Sequence, residues 1–184
     1  MLLSQLMKGI KVKNEYEDAD AVYLTADSRK IKEGAVFICV EGKNFDGHTV
    51  AEEMTEKGAV AVVCKHDVGV KNQIIVNDTR SAFSIMCANF FGNPAKKLKL
   101  IGLTGTNGKT TTTFLIKQIL DSLGKKSGLI GTVKNMIGDE ELPSSLTTPE
   151  CFELQALFAK MVEAKCEYCI MEVSSQALDQ GRVD

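Results

Sequence analysis

The chain contains no apolar run approaching the roughly 20 residues that a membrane-spanning helix needs. Its start, Met1-Leu2-Leu3-Ser4-Gln5-Leu6-Met7-Lys8, has neither the basic head nor the long apolar core of a signal peptide. It also lacks a dense basic stretch, and the formal net charge is −2, so a nucleic-acid partner is not expected. There is no internal repeat and no low-complexity segment. These absences lead to the expectation of a cytoplasmic protein that inserts into no membrane.

Histidine is scarce, with two in 184 residues, and neither His48 nor His66 sits in a partner pattern that marks catalysis. The six cysteines include one C-x-x-C spacing, Cys166-Glu167-Tyr168-Cys169, but no second pair that would complete a zinc site. If that segment is extended, positions i and i+3 point to opposite faces and the two sulfurs do not converge on a metal. Buried free thiols are the expectation.

What the chain does have is a composition with 44% hydrophobic residues, enough to bury a core in one large domain or two small ones. It also has one stretch of high information, Leu98 to Leu123. The apolar run Leu98-Lys99-Leu100-Ile101-Gly102-Leu103 reads as a buried strand. After it comes Gly105-Thr106-Asn107-Gly108-Lys109-Thr110-Thr111, and then Leu115, Ile119 and Leu123 at the spacing of one helix face, with Gly124 placed to end the helix. A strand, a glycine-rich turn and a helix N-terminus make an anion site, because backbone N–H groups and the helix dipole converge there. Lys109 can reach the outer phosphates of a nucleotide, and the Thr110 hydroxyl can ligate Mg²⁺. This is a P-loop with one departure, since the strict pattern wants glycine where Leu103 stands.

Upstream, short apolar runs alternate with amphipathic ones. A helix is expected over residues 2–8 and strands at Ala21–Leu24, Ala35–Val40, Ala59–Cys64 and Gln73–Val76. Helices are expected near Val50–Lys57 and after Asp78, which reads as an N-cap. Gly92, Asn93 and Pro94 end this first α/β unit, so the domain boundary is set at residues 97/98. Downstream, Ser127–Ile130 reads as a strand, Thr132 to Pro149 as a hairpin or loop, and Pro149 as opening a helix with Phe152, Leu157 and Met161. The run Tyr168–Val173 is the last strand. Glu172 stands at its carboxyl end, well placed in a P-loop domain to hold Mg²⁺ directly or through water.

Several of these runs together resemble the Mur ligases: Asp27-Ser28-Arg29, Glu41-Gly42-Lys43 with Asp46-Gly47, Gly105 to Thr111, Thr147-Thr148-Pro149, and Glu172-Val173-Ser174-Ser175 with Arg182. Order and spacing resemble the MurE type within that family. The P-loop form is shared across the family and with folylpolyglutamate synthetase; the N-terminal Asp-Ser-Arg and the Glu-Val-Ser-Ser run narrow the match. The resemblance implies an α/β fold, with a small UDP-binding domain at residues 1–97 and the first part of a P-loop, mostly parallel-sheet ATPase domain at 98–184.

In that domain pair, the resemblance implies, Ala26, Ser28 and the loop Lys43-Asn44-Phe45 would hold the nucleotide-sugar end. By the same resemblance, Gly105, Thr106, Asn107, Gly108, Lys109, Thr110 and Thr111 would bind ATP, and Lys109 and Glu172 would be the catalytic residues. Thr110 and Glu172 would take Mg²⁺. Thr147, Thr148, Ser174, Gln180 and Arg182 would bind the muramoyl-dipeptide end, where a guanidinium fork suits a carboxylate or phosphate. The implied reaction is ATP-dependent amide bond formation in peptidoglycan synthesis. It adds a diamino acid, meso-diaminopimelate or L-lysine, to UDP-N-acetylmuramoyl-L-alanyl-D-glutamate through an acyl phosphate, in a monomer with small-molecule partners only.

Two other readings stay open on the residues alone: a P-loop kinase acting on a small molecule, and a nucleotide-sugar binding module without catalysis. The N-terminal Asp27-Ser28-Arg29 is what a kinase has no reason to carry. In the family, a modified lysine with a second Mg²⁺ and the amino-acid pocket come after the point where this sequence stops, at Asp184. The expectation is that this polypeptide alone has little ligase turnover.

Overall fold

Four apolar runs in the first half of the chain pair, all parallel, into one sheet in the order β1-β2-β3-β4. The computed structural model describes residues 1–42 and 45–183. The strands are β1 (Tyr23–Thr25), β2 (Ala35–Ile38), β3 (Ala59–Cys64) and β4 (Gln73–Ile75). β2 and β3 are the central pair, and they are the most uniformly apolar, as strands covered on both faces must be. Phe37, Ile38 and Val63 are fully buried there. Helices α1 (Leu3–Leu6), α2 (Ala51–Glu56) and α3 (Thr79–Phe90) accompany the sheet. Asp78 accepts from the Arg80 N–H at 2.9 Å, so it does cap α3. These elements form one compact unit, Met1–Phe90, and Phe91–Asp184 forms another. The 3₁₀ turn Pro94–Lys97 packs with the second unit, where Ala95 lies against its core.

In the second unit the strands are β5 (Lys99–Leu103), β6 (Ser127–Ile130), β7 (Asn135–Ile137), β8 (Glu140–Leu142) and β9 (Tyr168–Glu172). They pair in the order β5-β9-β6-β7-β8. β5, β9 and β6 run parallel, and the β7–β8 hairpin continues the sheet antiparallel. The expected α/β architecture with a mostly parallel P-loop sheet is therefore present. Helices α4 (Lys109–Ser122), α5 (Cys151–Glu163) and α6 (Ser175–Asp179) complete the unit. α5 supplies Leu154, Leu157, Phe158 and Met161 to a core shared with Ile130, Cys169 and Met171. Gly128 on β6 allows this close packing, because a Cβ there would stand 2.4 Å from the Met161 sulfur.

Three expectations change. β5 is a strand, but an exposed one: Leu100 is 44% accessible, and β9 is its only partner among the described residues. An apolar run fixes strand character without saying which edges are covered. The Leu115, Ile119 and Leu123 stripe of α4 faces outward at 53–69% exposure, while Thr113 and Lys117 point in. Lys117 is neutralised by Asp121 at 2.9 Å and donates to the Ser127 carbonyl at 3.1 Å, tying α4 to the start of β6. Pro149 precedes α5 rather than opening it, since Glu150 is the N-cap residue and the helix starts at Cys151.

All six cysteines are free and buried, as expected. Cys166 lies ahead of β9, not within it, and both Cys166 and Cys169 join the same apolar core. The opposite-face premise therefore fails, while the assignment as buried thiols stands.

Candidate nucleotide and carboxylate site

β5, β6 and β9 are parallel neighbours, so the segments that follow them leave the sheet on one edge. After β5 comes the glycine-rich turn. Gly105 has φ +145° and Gly108 φ +81°, a backbone that a residue with a Cβ rarely adopts. α4 starts at Lys109, whose Nζ donates to the Gly105 carbonyl at 2.7 Å and so lies folded over the loop. Thr106, Asn107 and Thr111 belong to the same exposed stretch.

Glu172 ends β9 and is 1% exposed, so it is not a solvated strand-end acid. Its Oε2 accepts from the Thr110 hydroxyl at 2.9 Å and from the Thr132 hydroxyl at 3.2 Å. Its Oε1 accepts from the Thr132 backbone N–H at 2.9 Å. The residue before Thr132, Gly131, leaves the space the carboxylate occupies: a Cβ there would stand 2.4 Å from Oε1. These three donors are neutral, and no ion pair reaches Glu172 among the described residues. Burying an ionised carboxylate without an opposite charge is costly. A carboxylate oxygen with hydroxyl oxygens beside it is the hard donor set that Mg²⁺ prefers. The residues present therefore fit the metal.

Thr147 and Thr148 come to the same edge. The Thr147 hydroxyl lies 2.9 Å from that of Thr132. Thr148, 1% exposed, donates its hydroxyl to the Glu172 carbonyl at 2.9 Å and accepts from the Ser174 N–H at 3.0 Å. The Ser174 hydroxyl accepts from the Ala177 N–H at 3.1 Å, so it serves as the N-cap of α6. Arg182 is folded inward with its side chain only 10% exposed. It donates to the Thr148 carbonyl at 3.0 Å and to the Gln180 side-chain oxygen, and it pairs with Glu150 at 2.9 Å. Thr132, Gly131 and Glu150 were not singled out from sequence. A Gly-Thr after a short strand and a glutamate before a helix carry no distinguishing pattern.

In the first unit, Ala26 and Ser28 follow β1. Thr25 accepts from the Asp27 N–H at 3.0 Å, and Asp27 receives a two-pronged contact from Arg29. The Arg29 hydrogen bond holds the Asp27 carboxyl below its usual range. Lys43 and Asn44 lie outside the described residues, and Phe45 is 48% exposed. Gly47 lets this loop fold onto its own strand, because a Cβ would meet Cys39 Cα at 3.0 Å.

Glu41, Asp46 and His48 gather in the same loop, close enough to suggest a metal. His48 is spoken for: Nδ1 lies 2.6 Å from Asp46 and Nε2 accepts from the Lys65 N–H at 3.1 Å. Glu41 is paired with Lys65 at 3.1 Å. The group thus reads as a loop fastening, and the backbone and side-chain hydrogen bonds from His48 keep the Asp46 carboxyl below its usual range.

Comparison with known proteins agrees with the α/β fold. Residues 22–89 match the model described as the Mur ligase family, catalytic domain, and residues 103–184 match the Mur ligase middle domain. The chain is 46% identical over 188 residues to a UDP-N-acetylmuramoyl-L-alanyl-D-glutamate--2,6-diaminopimelate ligase of Clostridium perfringens, covering 100% of this chain and 39% of that protein. It is 51% identical over 163 residues to a Clostridium acetobutylicum protein of the same name, numbered 1, covering 87% and 34%. Among solved structures, a diaminopimelate ligase of this name aligns with TM-score 0.74 at 28% identity, over 89% of this chain and 34% of that one. A MurF ligase from Thermotoga maritima in complex with ADP shares the fold with TM-score 0.54 at 22% identity, over 83% and 32%. The chain thus spans between about a third and two fifths of the relatives it matches.

Proposed function

The chain belongs to the Mur ligase family, and from that premise we propose that its second unit binds Mg²⁺ and ATP and its first unit binds a uridine nucleotide-sugar. The complete reaction is the ligation of meso-diaminopimelate to UDP-N-acetylmuramoyl-L-alanyl-D-glutamate. The observation that carries this reading is the hydrogen bond from Thr110 in the phosphate loop to the buried Glu172 carboxylate.

The loop amides from Gly105 to Thr111 and the Lys109 ammonium take the phosphates. Thr110 and Glu172 would hold Mg²⁺, which would supply charge neutralisation for the triphosphate. Lys109 leaves the Gly105 carbonyl to meet the nucleotide. Ala26, Ser28 and the segment Lys43-Asn44-Phe45 hold the uridine diphosphate end, and Thr147, Thr148, Ser174, Gln180 and Arg182 hold the muramoyl dipeptide. The D-glutamyl carboxylate attacks the γ-phosphorus as the bond to ADP breaks. The diaminopimelate amine then attacks the acyl carbon of the resulting acyl phosphate, phosphate departs, and the nitrogen loses a proton. A carboxylate beside a triphosphate is a strong like-charge repulsion, so the fixed donors of the P-loop and Lys109 lower the barrier electrostatically. The work belongs in the cytoplasm, where UDP-sugars and ATP are found together.

Calorimetry with a non-hydrolysable ATP analogue tests the nucleotide half. Affinity is expected to fall at least about tenfold when Mg²⁺ is chelated, and Glu172→Gln is expected to abolish that metal dependence, one charge-assisted contact being lost. Equal affinity with and without Mg²⁺ in the wild type would overturn the reading.

A further inference from the structure

Among the described residues Arg182 is the one guanidinium at the edge where Thr148, Ser174 and Glu172 meet, and its charge is already answered from within the chain. Its side chain is 10% exposed, and its donors go to the Thr148 carbonyl and the Gln180 side-chain oxygen. The remaining partner is Glu150, with Oε1 at 2.9 Å. Glu150 differs from the others in two ways. Its side chain is 51% exposed, so it can leave for water at little cost. It also occupies the N-cap position of α5 without capping it, because no side-chain hydrogen bond to the helix is formed. The two neutral partners orient the guanidinium and are tied into the fold. The carboxylate is the detachable one.

We propose that Glu150 is a built-in stand-in for an acidic group of the substrate. It keeps Arg182 charge-paired in the empty site and is displaced when a substrate carboxylate enters. This rests on the substrate reading above. Open α/β sheets take ligands outside the carboxyl ends of their strands, which is where Arg182 reaches Thr148 and, through it, Glu172. An incoming carboxylate therefore competes with Glu150 for one fork, and Glu150 weakens substrate binding while excluding ligands that bring no acid of their own.

The test is calorimetric titration of the whole chain with UDP-N-acetylmuramoyl-L-alanyl-D-glutamate and, separately, with UDP-N-acetylmuramoyl-L-alanine, which lacks the D-glutamyl carboxylates. Glu150→Gln is expected to bind the dipeptide form about two- to fivefold more tightly, the range expected for an ion pair with one solvent-exposed partner. Glu150→Asp, which keeps the charge, is expected to show no gain. A gain that also appears for the form without D-glutamate shows that its free L-alanyl carboxylate competes for the same fork; a gain confined to the dipeptide form identifies a D-glutamyl carboxylate as the competitor. A wild type that binds the dipeptide while Glu150→Gln, folded by circular dichroism, binds it equally or more weakly overturns the stand-in role and leaves the substrate reading intact. A folded wild type that binds neither ligand overturns both.

Discussion

The Thr110 hydroxyl donates 2.9 Å to Glu172 Oε2 across 62 residues of sequence. One residue lies in the first turn of α4 and the other ends β9, so the contact joins the glycine-rich turn to the carboxyl end of the neighbouring strand. It follows from register: Leu103, the last residue of β5, pairs directly with Glu172.

Gly131 controls this contact without touching a nucleotide. An alanine there places a Cβ against Glu172 Oε1 and Cδ, at 2.4 and 3.2 Å. Gly131→Ala should therefore displace the carboxylate and weaken Mg²⁺-dependent nucleotide binding by about tenfold or more, while leaving the metal-free affinity near that of the wild type. Calorimetry with and without Mg²⁺ reads both. Unchanged metal dependence would mean the carboxylate position is unimportant.

The faces of α4 predict opposite sensitivities. Ile119 is 58% exposed, so Ile119→Lys should change unfolding free energy by less than about 0.5 kcal/mol. Lys117 is 4% exposed and makes an ion pair and a bond to the Ser127 carbonyl. Lys117→Ala should cost about 1–3 kcal/mol, since buried partners lose their donor. Urea denaturation of the two variants checks the order, which a sequence-based helix wheel would reverse.

The buried thiols make stability depend on alkaline pH. Burial pushes Cys39 up to about 12 and Cys64 up to about 11 from an ordinary value of 9.0, and raises Cys169 further. In the unfolded chain these thiols ionise near 9.0, so above that pH the unfolded state binds fewer protons than the native one. Their contribution is complete below pH 9 and is lost progressively between 9 and about 11–12. The urea midpoint should thus fall from pH 8 to pH 10, and less steeply in Cys39→Ala. A thiol reagent at pH 8 should label the native chain slowly and all six cysteines once it is denatured.

Much of this was legible in the residues. β3 matches its apolar run Ala59–Cys64 residue for residue, because a central strand is apolar on both faces and ends where polarity returns. The turn from Gly105 to Thr111 announces itself through glycines that its backbone requires. The exposure of Leu100 and Leu115 was not legible, since periodicity reports that a face is apolar and not whether anything covers it. Thr132 escaped notice because its role comes from strand order, which brings the ends of β6 and β9 together, and Glu150 because its partner Arg182 lies 32 residues away; neither role comes from any local pattern.

The most direct measurement of the central claim is titration of the chain with UDP-N-acetylmuramoyl-L-alanyl-D-glutamate, for the wild type and for Ser28→Ala. The account predicts saturable binding at a single site, weakened at least about tenfold in a Ser28→Ala variant that still binds Mg²⁺ and ATP normally. A folded wild type that binds Mg²⁺ and ATP but shows no heat with this ligand would contradict the account.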